Sequence, residues 1–114
     1  MFLHMLQKVN AERCKEFRDS QGRICHPNGV SDWTPAQWLQ ALTGEVGEYA
    51  NLRKKFERGD TMSPSEFHER ASDELADVQC YLVLLAESLG INLEEATIRK
   101  FNEVSDRIGS AIKL

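Results

Sequence analysis

The stretch LQALTGEVGEYANLRKKF, Leu39 to Phe56, spaces its apolar residues three and four apart and so reads as one side of an α-helix. The stripe is Trp38, Ala41, Leu42, Glu45, Tyr49, Leu52 and Phe56, and a glutamate stands in the middle of it. Glu48 lies on its edge. A second stretch, FHERASDELADVQCYLVLL from Phe67 to Leu85, repeats the pattern. Its stripe is Phe67, Ala71, Glu74, Leu75, Val78, Tyr81, Leu82 and Leu85, with Asp77 flanking Glu74. Each helix therefore places an acid on the side that periodicity assigns to the core.

Local chemistry fixes the ends of these helices. Thr34-Pro35-Ala36-Gln37 supplies an N-cap, a proline at the first helical position and a capping-box glutamine, and Gly59 suits a C-terminal turn. Ser63-Pro64-Ser65-Glu66 opens the next helix, which Gly90 stops after Leu89. Asn92, with Glu95 three residues on, caps a helix expected to run to about Ala111. Ahead of these, a first helix is expected from about Phe2 to Arg18, burying Phe2, Leu6, Val9 and Phe17. DSQGRICHPNGVSD then reads as a loop. The short link Ile91-Asn92 predicts that the third and fourth helices are antiparallel neighbours. The expected fold is all-α, one compact domain of four helices.

At 114 residues such a domain has a limited core, and aromatic and aliphatic surface on the first and last helices predicts oligomerisation. Against 14 basic residues stand 18 acidic ones, a formal net charge of −4. An acidic surface is a poor track for a nucleic-acid polymer, which needs a basic one. A polyphosphate can still bind where divalent cations bridge the two sets of negative charge. Cys14, Cys25 and Cys80 are widely spaced and odd in number, which favours reduced thiols and a cytoplasmic setting. Their spacing, with His4 and His26, fits no usual zinc pattern. The apolar run in MFLHMLQKVN is too short for a signal peptide, and no segment approaches the ~20 apolar residues of a membrane span.

Residues three apart on a helix bring their Cβ atoms to ~5–6 Å. Two such acidic pairs on facing helices form a nest of negative charge that burial makes costly unless it is solvated, protonated, paired with cations or bound to a metal. An exposed edge is the plain alternative for either pair alone, but it would have to remove both stripes from the core. Hard oxygen ligands without a neighbouring histidine favour Mg²⁺ or Mn²⁺ over zinc, and the absence of Glu-x-x-His argues against a di-iron bundle.

GEVGEYANLRKK, followed by DELADVQCYLVLLAESLGINLEEA and KFNEVSDRIGS, resembles the MazG-like all-α nucleoside triphosphate pyrophosphohydrolases over roughly Trp33 to Leu114. The family's Glu-x-x-Glu and Glu-x-x-Asp signature falls on Glu45, Glu48, Glu74 and Asp77, while Gly44 stands where the family often carries a further acid. The resemblance implies Mg²⁺-dependent hydrolysis of a nucleoside triphosphate, foremost a deoxynucleotide, to monophosphate and pyrophosphate. It also implies phosphate contacts from Lys100 and Arg107, with Asn102 an approximate counterpart of an asparagine between them. A homodimer or a dimer of dimers follows from it too, with pockets partly shared between subunits.

Each remaining candidate has a plainer role beside its functional one. Lys100 can snorkel from an apolar stripe, Arg107 can pair with Asp106, and Lys54 suits the helix dipole as well as a phosphate. Trp33 and Trp38 flank the start of the second helix, where an indole can stack on a base for ~1–3 kcal/mol. Trp38 also reads as core and Trp33 as a staple. His26 and Asn28 can read base edges or simply shape the loop. Two further functions stay open: a non-catalytic helical interaction module with a regulatory cation site, and a relative acting on nucleoside diphosphates or phosphoribosyl-ATP.

Overall fold

The computed structural model describes all 114 residues and contains four α-helices: α1 (Phe2–Arg13), α2 (Pro35–Glu57), α3 (Pro64–Ser88) and α4 (Leu93–Ile108). Short 3₁₀ turns cover Cys14–Glu16 and Gly29–Asp32. The helices α2 and α3 form the main packed pair. Trp38 faces Tyr81 at 6.4 Å near one end of that pair, and Phe56 meets Phe67 at 4.4 Å at the other, so the two run antiparallel.

The cap chemistry expected from the sequence is present in graded form. Thr34 and Gln37 make the full reciprocal box, with Thr34 Oγ1 accepting from the Gln37 amide and Gln37 Oε1 accepting from the Thr34 amide. Ser63 and Asn92 each accept the backbone N–H three residues on, at 3.1 and 3.2 Å, without a return bond. Each cap satisfies one of the free donors at a helix start. The αL residue Gly109 (φ 75°) ends α4 three residues short of the expected end, and Ser110 N–H donates back to Ser105 O at 2.8 Å.

Helix α1 departs from expectation in length and in facing. It leaves α geometry after Arg13, five residues early, because Phe17 is extended and its carbonyl accepts from Cys25 N–H at 2.8 Å. Phe2 and Val9, expected inside, are 66% and 60% exposed. The enclosed residues are Gln7, Asn10 and Cys14. Gln7 Nε2 donates to Glu87 Oε2 (2.8 Å) and Ile91 O (2.7 Å), and its Oε1 accepts from Leu93 N–H. Asn10 Nδ2 donates to Cys80 O at 2.9 Å. Partnered polar groups can be buried where unpartnered ones cannot, which is why α1 turns a polar side inward.

The expected antiparallel packing of α3 on α4 is not formed. Gly90 (φ 68°) and the Gln7 bonds redirect the chain at the joint, and α4 makes its main contact with α1. Only 11 of the 114 residues are buried, and Phe2, Met5, Val9, Phe101 and Ile108 all stand exposed. No helix is long and apolar enough to cross a membrane.

Candidate functional site

The acidic nest lies midway along the α2–α3 seam. Carboxylate oxygens of Glu45, Glu48 and Glu74 all come within 4.8 Å of one another. Both stripes hold in this region, for Ala41, Leu42, Glu45, Tyr49, Ala71, Glu74 and Val78 are half-buried and Leu52 is buried, whereas Leu75 points outward. Glu48 and Asp77 are exposed on the rim.

One oxygen of Glu45 and one of Glu74 are sealed from solvent and receive no hydrogen bond. Burial is the largest influence on both groups and raises both pKa values. The negative charges of Glu48, Asp77 and Glu74 push Glu45 further up, and those of Glu48, Asp77 and Asp73 do the same to Glu74. No lysine or arginine pairs with any of the four acids. Orphaned anionic oxygens at close range are a donor set suited to a hard divalent cation, with Glu45, Glu48 and Glu74 as its nearest holders and Asp77 beside them.

An aromatic nest adjoins the acids at the start of α2. His26, 2% exposed, stands 4.5 Å from Trp33 and 4.9 Å from Trp38, and Trp33 lies 4.6 Å from Trp38. Trp38 is wholly enclosed, and its Nε1–H donates to Val30 O at 2.9 Å. Trp33 keeps some exposure. Tyr81 connects this nest to the acids: burial first, then the charges of Glu45 and Asp77, raise its phenol pKa. Asn28 is a turn former here, its amide N–H and Nδ2 donating to Asp32 at 2.8 and 3.0 Å.

None of the cationic candidates pairs with the four acids. Lys100 and Arg107 are exposed on α4, with Lys100 Nζ 3.2 Å from Glu103. Asp106 pairs with Lys113 rather than with Arg107. Asn102 is engaged by the backbone of Leu114. Lys54 is exposed in the last turn of α2 and unpaired. The cations that share a cleft with Glu48 and Glu74 are instead Lys55 and Arg70, together with Asn51 and Asp73. Their sequence signal is helical spacing alone: Lys55 is seven residues after Glu48, and Arg70 is four before Glu74.

Over 78 aligned residues the chain is 37% identical to dCTP pyrophosphatase 1 of Mus musculus, the match covering 62% of this chain and 46% of that protein. The chain thus spans about half the length of the curated relative it matches. No protein-family model and no solved structure matches it. Its all-helical fold, with Glu-x-x-Glu and Glu-x-x-Asp pairs set on adjacent helices, agrees with the resemblance to the MazG-like all-α nucleoside triphosphate pyrophosphohydrolases, and the chain is similar to one curated pyrophosphatase over those 78 residues.

Proposed function

We propose that this protein hydrolyses a nucleoside triphosphate, a deoxynucleotide foremost, to the monophosphate and pyrophosphate in a Mg²⁺-dependent reaction that Mn²⁺ also supports. The observation that carries this is the pair of sealed, unbonded oxygens on Glu45 and Glu74 inside a three-glutamate nest. Similarity to a dCTP pyrophosphatase supports it and makes dCTP the first substrate to try.

Glu45, Glu48, Glu74 and Asp77 are the proposed cation holders. A divalent ion there supplies charge neutralisation at phosphoryl oxygens and an acidified water. Glu45 is the proposed proton acceptor, since burial and neighbouring acids make its carboxylate a stronger base than usual. Trp33, the more exposed indole, would stack on the base, with Trp38 and His26 backing it and Asn28 shaping the loop beneath. Lys54, Lys100 and Arg107 are the proposed phosphate contacts. The last two stand on α4, so their part requires α4 of a second copy to approach the acids. The exposed apolar residues of α1 and α4 favour such a homodimer or dimer of dimers. Control of a nucleotide pool, or removal of aberrant nucleotides, in the cytoplasm is the corresponding role.

The test is pyrophosphate release from a panel of natural and modified triphosphates, run with Mg²⁺ and then Mn²⁺. Nucleoside diphosphates and phosphoribosyl-ATP are assayed alongside, with product analysis. Turnover confined to these last two substrates would reassign the reaction. No turnover anywhere would leave a helical interaction module with a cation site.

A further inference from the structure

A cleft of about 310 Å³ opens on the α2–α3 surface, lined by Glu48, Asn51, Lys55, Arg70, Asp73 and Glu74 over the floor of Leu52. Its charge pattern is unusual for this molecule. Of the fourteen lysines and arginines, ten make an ion pair or a side-chain hydrogen bond. The four that make none are Lys54, Lys55, Arg70 and Arg107, and two of these line this one cleft. Three carboxylates line it as well, yet neither cation comes within the 4.0 Å of an ion pair. Opposite charges are gathered here without neutralising one another.

Position along the seam says what could use them. Because α2 and α3 are antiparallel, Trp38 and Tyr81 lie towards one end, Glu45, Glu48, Glu74 and Asp77 in the middle, and Lys55 and Arg70 towards the other. Seven residues separate Trp38 from Glu45 and again Glu48 from Lys55, or about 10 Å of helix on each side of the acids. Aromatic rings, of which Trp33 beside Trp38 keeps exposure, then acids, then cations is the order of base, scissile anhydride and departing phosphates in a nucleotide laid along the α2–α3 seam.

We propose that Lys55 and Arg70 hold the diphosphate end of a cation-complexed polyphosphate in this cleft, the acids taking the cation and the two side chains taking phosphate oxygens. The assignment rests on the triphosphate reading above and adds to it the residues that hold the pyrophosphate. An ammonium offers a point charge and a guanidinium a bidentate fork, and both suit phosphate. Without the cation, an entering anion meets three carboxylates against two positive groups. Binding of the anion is therefore coupled to binding of the ion.

Isothermal titration of the full chain with inorganic pyrophosphate, in Mg²⁺ and separately in EDTA, tests this. Wild type is expected to bind in Mg²⁺ and not in EDTA. Lys55→Gln and Arg70→Gln should each weaken binding about tenfold, the loss of roughly one charge-assisted contact, with Arg18→Gln unchanged as a surface-charge control. Both cleft side chains are exposed, and circular dichroism of each variant verifies that it folds like wild type. Absence of binding, equal binding in EDTA, or variants that bind like wild type would overturn the assignment. Triphosphate turnover together with pyrophosphate binding indifferent to both substitutions removes Lys55 and Arg70 and leaves the reaction standing. Mg²⁺-dependent binding that both substitutions weaken, without turnover of any triphosphate, removes the reaction and keeps the cleft.

Discussion

Glu45 of α2 and Glu74 of α3 face each other across the seam, each with one carboxylate oxygen beyond the reach of water and of any donor. Two like charges held this way oppose folding unless something offsets them, and the consequences can be measured.

Glu74→Gln removes one of the repelling charges while keeping the side chain's size. In EDTA its melting temperature should match or exceed that of wild type, because burial and the charges of Glu48 and Asp77 all work against the ionised form. Turnover should fall by more than about a hundredfold, the upper range that second-shell changes reach at metal sites. A clear loss of metal-free stability would reveal a basic partner for Glu74.

Adding Mg²⁺ to wild type should raise the melting temperature. At an ion concentration a hundred times its dissociation constant, the gain is about 2.7 kcal/mol. Scanning calorimetry of Glu45→Gln and Glu74→Gln should show that gain largely abolished.

His26 gives a pH signature with a definite sign. Burial drives its pKa below the ordinary value of 6.5, with Asp32 opposing. The folded state therefore favours the neutral ring. As pH falls through 6.5 the unfolded chain takes up a proton that the folded one does not, so stability falls until the lower folded pKa is passed. Glu87, whose pKa is lowered from 4.5, loses its contribution only in more acidic solution. Urea denaturation of wild type and His26→Phe at pH 7 and at about pH 5.5 should show the wild type losing more over that window.

Gln7→Leu keeps the volume at a buried position and removes three hydrogen bonds at once. It leaves the Ile91 carbonyl and the Leu93 N–H without their partner, and Glu87 with Lys8 alone. The expected cost is about 2–4 kcal/mol by urea denaturation, with weaker protection of the α4 N-terminus in hydrogen exchange.

The seam was legible in the sequence because its signals are local. A three-and-four stripe, a threonine before a proline and an acid in an apolar row each speak within one helical turn, and Glu45 and Glu74 stand where that pattern put them. The face of α1 was not legible, since Gln7 and Asn10 are buried by partners 70 to 86 residues away in sequence. Hydropathy instead selected Phe2 and Val9. The course of α4 was missed for a related reason: link length limits where a helix can go, but the Gln7 bonds choose among the options. Lys55 and Arg70 gave no signal beyond spacing, because a charged residue on a polar helix face is unremarkable until the opposing helix brings it company.

With only 11 of 114 residues buried, unfolding of a single copy would uncover little fresh hydrocarbon. Its heat-capacity increment should be small and its denaturant slope gentle for a chain of this length. If both steepen as protein concentration rises, the missing hydrocarbon is hidden between copies rather than within one.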